Sequence, residues 1–258
     1  MDEFDGFLID LDGVVWVGRD PVPRAADTLR ELLGAGKQLV FITNNPGRAA
    51  SAYAERLREI GVEAREEQVV TSGVVTARVA AERVGAGTGA YVIGADAFKD
   101  AAAAAGLVLF EGDAGRSAGA VLVAGHRGFD YEELLTATLA LQGGAALFAT
   151  SRDPTLPMPG GAWPGTGAIL AAVETASGAT AEVGGKPERH LFELARARIA
   201  AAERVAMVGD RVSSDVEGGH RAGLETILVL SGATSPEEAE SAVPPPDHIL
   251  EDLGGLLT

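Results

Sequence analysis

The chain has 258 residues, 47% of them hydrophobic and 22% charged, which is enough apolar material for a packed core and excludes global disorder. Its 21 basic and 37 acidic residues give a formal net charge of −16, and no Lys/Arg run offsets it, so nucleic acid and anionic membrane surfaces are not expected partners. It has no cysteine, which excludes disulfides, thiol catalysis and Cys-ligated metals. Its four histidines are scattered, so any metal should be a hard cation held by oxygen.

The first residues are acidic where a secretory signal would be basic. The charge-free stretches 134–151 and 154–173 are broken by glycine or proline. The expectation is a cytoplasmic protein with no membrane span. Lysine occurs only at Lys37, Lys99 and Lys186, which fits a halophilic source or a GC-rich genome and does not separate them.

In chain order, the apolar run 7–9 reads as a strand ending in acids and Gly13. A helix-period segment at 24–35 stops at Gly36. A second apolar run at 38–42 ends in Thr43-Asn44-Asn45. A helix at about 49–60 ends at Gly61, and another opens after the N-cap pair Thr71-Ser72 and closes at Gly85. The middle third repeats the alternation. Strands at 91–93, 120–123 and 147–149 are separated by helices at 95–105 and at about 131–141, the second opened by the capping-box pattern Asp130 to Glu133. The last third returns to a helix at 187–199 with proline in its first turn, a strand at 205–208, a short helix at 214–222 and a strand at 226–230. Short apolar strands alternating with helices predict an α/β fold: a Rossmann-like parallel-sheet core, 1–83 and 181–258, with an inserted α/β cap domain at 84–180.

In parallel sheets ligands bind beyond the carboxyl ends of the strands. Asp10 and Asp12 follow the first strand, Thr43 and Asn44 the second, and Asp210 and Asp215 the strand at 205–208. Gly184-Gly185-Lys186 precedes the helix at 187. Singly, each has a bland explanation: Asp12-Gly13 as a turn, Thr43-Asn44 as a capping loop, Lys186 as a surface lysine, Asp210 and Asp215 as N-caps. Their arrival at one sheet edge outweighs those explanations. Residues two apart on an extended strand point the same way, so Asp10 and Asp12 repel each other and Asp210 adds to the repulsion. A divalent cation resolves this, and Mg2+ favours a few carboxylates, waters and phosphate oxygens. Lys186 and Thr43 then supply positive charge and a donor to a phosphoryl group. The four histidines are assigned no function.

Phe7-Leu8-Ile9-Asp10-Leu11-Asp12-Gly13-Val14-Val15-Trp16 resembles the first motif of the haloacid dehalogenase superfamily phosphatases, and in particular the NagD / p-nitrophenylphosphatase branch. Phe41-Ile42-Thr43-Asn44-Asn45, Gly185-Lys186-Pro187 and Met207-Val208-Gly209-Asp210-Arg211 through Asp215 are similar to its second, third and fourth motifs. The resemblance implies Mg2+-dependent hydrolysis of small phosphate monoesters. Asp10 is then the nucleophile that forms an aspartyl-phosphate, and Asp12 the general acid and base. It further implies Mg2+ held by Asp10, the Asp12 carbonyl and Asp210, with Asp215 acting through water or its neighbours. Thr43 and Asn44 contact the phosphoryl oxygens, and Lys186 screens the charge between Asp10 and phosphate.

The cap loops depart from the branch. Ala149-Thr150-Ser151-Arg152-Asp153-Pro154 has Ser151 where Asn is usual, and Gly125-His126-Arg127-Gly128-Phe129-Asp130-Tyr131 is one residue short of the usual pattern. Arg152 and Asp153 are candidate substrate contacts, and the physiological substrate is left open. Relatives often pair through the cap, which makes a homodimer a further expectation. A phosphoacceptor signalling module and a phosphotransferase on the same core are the alternatives, with a true dehalogenase behind them. Asp12 and the chain length argue against the module, and Asp12 against the dehalogenase.

Overall fold

The computed structural model describes residues 3–257. Six strands form one parallel sheet in the order His248–Leu250, Glu225–Val229, Val205–Gly209, Gly6–Asp10, Gln38–Thr43, Val69–Thr71. Gly6–Asp10 is central and wholly buried. Phe7 and Ile9 face the helices Ala25–Gly34 and Ala50–Glu59, in one cluster with Leu29, Tyr53 and Leu57. Leu8 faces the other way, onto Leu191, Phe192 and Ala195 of the helix Arg189–Arg198. Cover on both faces is why this strand reads as an unbroken apolar run rather than an alternating one. Each such side chain contributes about 1.5–3 kcal/mol when withdrawn from water.

Five further strands form a second, separate parallel sheet: Glu182–Val183, Ala146–Ala149, Ala120–Val123, Gly89–Ile93, Val108–Phe110. The helices Ser72–Val84 and Asp96–Ala104 cover one face through Ala77, Ala80, Phe98 and Ala102. Tyr131–Gln142 and Thr166–Ser177 cover the other through Ala137, Ala140, Ile169 and Val173. Thr71 caps Ser72–Val84 by accepting from Val74 N, as its sequence suggests.

Several local expectations change. Glu182–Val183 pairs with Ala146–Ala149, so the second sheet ends beyond residue 180. The helix expected from 187 begins at Arg189, with Pro187 ahead of its first turn. Asp130 caps its helix through Glu133 N, but the Glu133 carboxylate takes His126 Nε2 at 2.8 Å instead of closing the capping box. The segment expected as a helix at 214–222 is a π-turn, Val212–Val216, running into the helix Glu217–Arg221. The proline-containing stretch after Asp153 forms the antiparallel hairpin Thr155–Met158 with Gly161–Pro164. Among the described residues no helix is long and apolar enough to cross a membrane.

Candidate active site

The carboxyl ends of the three central strands of the six-stranded sheet deliver the predicted residues to one cavity of about 430 Å3. Asp10 ends Gly6–Asp10, Thr43 ends Gln38–Thr43, and Asp210 follows Val205–Gly209. Lys186, only 2% exposed, comes from the loop after Glu182–Val183. Its Nζ lies 2.7 Å from Asp10 Oδ1 and 2.6 Å from Asp215 Oδ1. Asp10, Asp210 and Asp215 are all buried, and each offers one oxygen within 4.8 Å of the others.

Backbone groups fix these acids. Asp210 Oδ2 accepts from Ala233 N at 2.6 Å, and Asp215 Oδ2 from Arg211 N at 3.0 Å. Gly13, with φ of 92°, passes so close to Asp210 that a Cβ there would overlap its carboxylate. Asp12 sits past the end of its strand. Trp16 Nε1 donates to its Oδ1 at 3.1 Å and Asn45 Nδ2 to its Oδ2 at 3.3 Å. Neither Trp16 nor Asn45 was singled out from the sequence. The signals were there, in a Trp four residues after Asp12 and a second Asn after Asn44, but only the fold turns both toward Asp12.

The electrostatics are those of an over-charged pocket. Burial, reinforced by Asp215 and Asp210 and opposed by Lys186, raises the Asp10 pKa well above the ordinary value. Burial and then Asp215 raise that of Asp210. Burial raises Asp12 as well, against the hydrogen bonds from Asn45 and Trp16. Burial works against the Lys186 ammonium, but Asp10 and Asp215 outweigh it and hold its pKa above the usual lysine value. One buried ammonium thus sits among these carboxyl groups, with Arg211 acting on Asp210 and Arg56 on Asp12 from farther out.

The remaining candidates divide. Thr43 lines the cavity, its Oγ1 accepting from Asn45 N at 3.0 Å. Asn44 lines it too, but its side chain is engaged. Oδ1 accepts from Lys186 N at 2.8 Å, and Nδ2 donates to Lys186 O at 3.0 Å and to Asp153 Oδ2 at 2.7 Å. Asn44 therefore clamps the lysine loop. Asp153 reaches the cavity wall with Oδ2 on Asn44 and Oδ1 3.8 Å from Arg211 Nε. Arg152, expected beside it, does not line the cavity. Its guanidinium pairs with both Glu174 oxygens, at 2.9 and 2.8 Å, on the helix Thr166–Ser177. Ser151 and Asp153, on either side of Arg152, do line the cavity.

The match to known proteins extends over nearly the whole chain. A family model for haloacid dehalogenase-like hydrolases matches residues 7–108, and a HAD-hydrolase-like model matches 183–256. Chronophin from Rattus norvegicus is 37% identical over 97% of this chain and 88% of its own length. The chain belongs to the haloacid dehalogenase-like hydrolases. Its structural relatives place it among the NagD-type phosphatases of that family. The glycerol phosphate phosphatase of Mycobacterium tuberculosis, solved with magnesium, superposes with a TM-score of 0.89 at 36% identity, covering 98% of this chain and 76% of that one. NagD from E. coli K-12 superposes with a TM-score of 0.84 at 30% identity, covering 97% of both. Family membership accounts for the cavity lying where the carboxyl edge of one sheet meets the unit carried by the other.

Proposed function

We propose that this chain hydrolyses small phosphate monoesters with Mg2+ as cofactor, Asp10 as nucleophile and Asp12 as general acid and base. The observation that carries the reading is the buried set Asp10, Asp210 and Asp215 with Lys186 wedged against Asp10 and Asp215.

The donor set fits the metal. Three buried carboxylates close together with a single ammonium leave an excess of negative charge that a hard, oxygen-seeking divalent cation offsets. Asp10, Asp210 and the carbonyl of Asp12 would hold it, with Asp215 tied to Lys186 alongside. When bound, Mg2+ stabilises negative charge on the transferring phosphoryl group. An Asp10 oxygen attacks phosphorus as the P–O ester bond breaks, and the leaving oxygen takes the Asp12 proton. Water then attacks the aspartyl-phosphate and gives its proton to Asp12. The P–O bond to Asp10 breaks and releases phosphate. Thr43 donates its hydroxyl to a phosphoryl oxygen, and Lys186 favours the ionised form of Asp10, opposing its burial. The part assigned to Asn44 is to fix the backbone of Lys186.

The two-sheet arrangement supports a division into core, inserted cap and core, with the second junction at about residue 184 rather than 180. The leaving alcohol would meet the cap face of the cavity, where Phe129, Leu156, Met158, Trp163 and Ile169 are apolar. Of the nearby polar groups, His126 is paired with Glu133 and Asp153 with Asn44, and Arg127 lies over the Trp163 ring. This supports selection of the alcohol by apolar shape more than by hydroxyl recognition. Pairing of two chains through the cap has support in Tyr131 and Leu139, exposed at 74% and 38%, with Leu135 between them on one helix face.

Turnover of a phosphate ester should stop in EDTA and return with Mg2+. Asp10→Asn should lose at least roughly a thousandfold in kcat while keeping its fold. Turnover in EDTA at the full rate, or a folded Asp10→Asn that keeps a substantial part of wild-type kcat, would overturn the assignment.

A further inference from the structure

Trp16 is wholly buried, yet its indole N–H is not spent on the core: it donates to Asp12 Oδ1 at 3.1 Å. The contact is built into the backbone. The N–H groups of Val15 and Trp16 both return to Leu11 O, and Gly13 N donates to Trp16 O at 2.7 Å, so the turn folds Trp16 back onto Asp12. The ring is gripped on its faces by one helix, Ala50–Glu59. Tyr53 stacks on it with centroids 6.3 Å apart and planes 6° apart, and the Arg56 guanidinium lies 3.9 Å from its centroid. Tyr53 also donates to Asn45 O at 2.9 Å, and Asn45 holds the other oxygen of Asp12.

We propose that Trp16 is the positioning residue of the acid–base group: its N–H anchors Asp12 Oδ1 and so fixes the direction in which the carboxyl group meets the leaving alcohol. An indole nitrogen donates only, and it cannot accept a proton from the carboxyl group it faces. The contact with Oδ1 therefore runs in one sense only, with the indole as donor. Asn45 Nδ2 holds Oδ2 in the same way at 3.3 Å, and the Asp12 side chain borders the cavity. Tyr53 and Arg56 keep the ring from swinging, so the direction of proton delivery is set by a helix that contributes nothing to the phosphate site. The proposal rests on Asp12 being the general acid.

The test compares kcat/KM for two probes, which reports the step in which the alcohol departs. A nitrophenolate leaves as the anion, whereas a primary alkyl phosphate such as glycerol 3-phosphate needs the proton. Trp16→Phe keeps an aromatic ring and removes the donor. The ratio of alkyl to aryl kcat/KM should fall by roughly tenfold or more, inside the range that general acids supply. Both values come from one sample, so the ratio is blind to any inactive fraction. If Trp16→Phe does not fold, 3-benzothienylalanine at position 16 keeps the shape of the indole and lacks the N–H. Asp12→Asn is the control. It should depress the same ratio, and Trp16→Phe added to it should change the ratio no further. An unchanged ratio in Asp12→Asn would overturn the acid–base reading itself. A depressed ratio there with an unchanged one in the Trp16 variant would overturn the proposal alone.

Discussion

Replacing Lys186 by Met tests whether the buried carboxyl groups behave as one charge system. The side chain is 2% exposed and touches Asp10 at 2.7 Å and Asp215 at 2.6 Å, and Met keeps most of its volume. Removing one partner of a buried ion pair costs about 3–5 kcal/mol. For a chain of this size each kcal/mol moves the melting temperature by roughly 2–4 °C. The full penalty would therefore be on the order of 6–20 °C, and the raised pKa of Asp10 gives it a route of relief. A carboxyl group whose folded pKa lies above its unfolded value binds its proton more tightly when folded. Stability is then gained as pH falls from above the folded pKa toward the ordinary carboxylate range, and lost as pH rises through it. In EDTA, Lys186→Met should melt well below wild type at about pH 8, and the gap should narrow at about pH 5.5. Mg2+ should stabilise the variant more than the wild type, because the ammonium no longer opposes the cation. Scanning calorimetry with and without Mg2+ at the two pH values gives all four comparisons. A gap that is the same at both pH values, with no extra gain from Mg2+, would refute the coupled-charge reasoning.

Gly13→Ala should remove activity and lower stability by about 1–3 kcal/mol, because it forces a Cβ into the Asp210 carboxylate at a φ of 92°. Calorimetry and turnover of one chromogenic ester check it, and a stable, active variant would show that Asp210 has room to move. Asp153→Ala should lower kcat/KM by a similar factor, roughly tenfold, for every ester, since its Oδ2 holds Asn44, which clamps the Lys186 backbone. Arg152→Ala, which loses only its pairing with Glu174, should change no substrate ranking, and a panel of esters distinguishes the two outcomes.

What the sequence made legible follows from what short spacings can encode. The central strand, the acids beyond it and the lysine loop are each set by a few adjacent residues and by the rule that parallel strands share one functional edge. Asp10, Thr43 and Asp210 needed no long-range information beyond that rule, whereas Lys186 reaches them from the loop after an edge strand of the second sheet. Trp16 and Asn45 did need such information. Their role depends on a turn and a helix that bring Asp12, four residues before Trp16, and Asn45, 33 residues on, to one carboxylate. The strands Val69–Thr71 and Glu182–Val183 are too short to carry a period of their own and exist because a neighbour pairs with them. The spacing of Thr166, Ile169, Leu170 and Val173 is helical, but Gly165, Gly167 and the prolines before them hid it behind turn signals.

The difference between core and cap has one physical origin. In the core, charged side chains face the cavity although burial opposes them, so residue type alone points to chemistry. In the cap loops, several charged side chains are spent on each other or on the core: His126 on Glu133, Arg152 on Glu174, Asp153 on Asn44 and Arg211, while Arg127 lies over the Trp163 ring at the cavity wall. A charged residue in a loop sequence looks the same whether it waits for a ligand or already has a partner. Once these pairs are formed, much of the surface left to meet an alcohol is apolar, with Arg127 at its edge, and its hairpin rests with Pro159 against Gly18 of the core. Phosphate recognition is thus carried by charge that the sequence displays, and recognition of the alcohol by a shape that exists only when the two sheets are closed on one another.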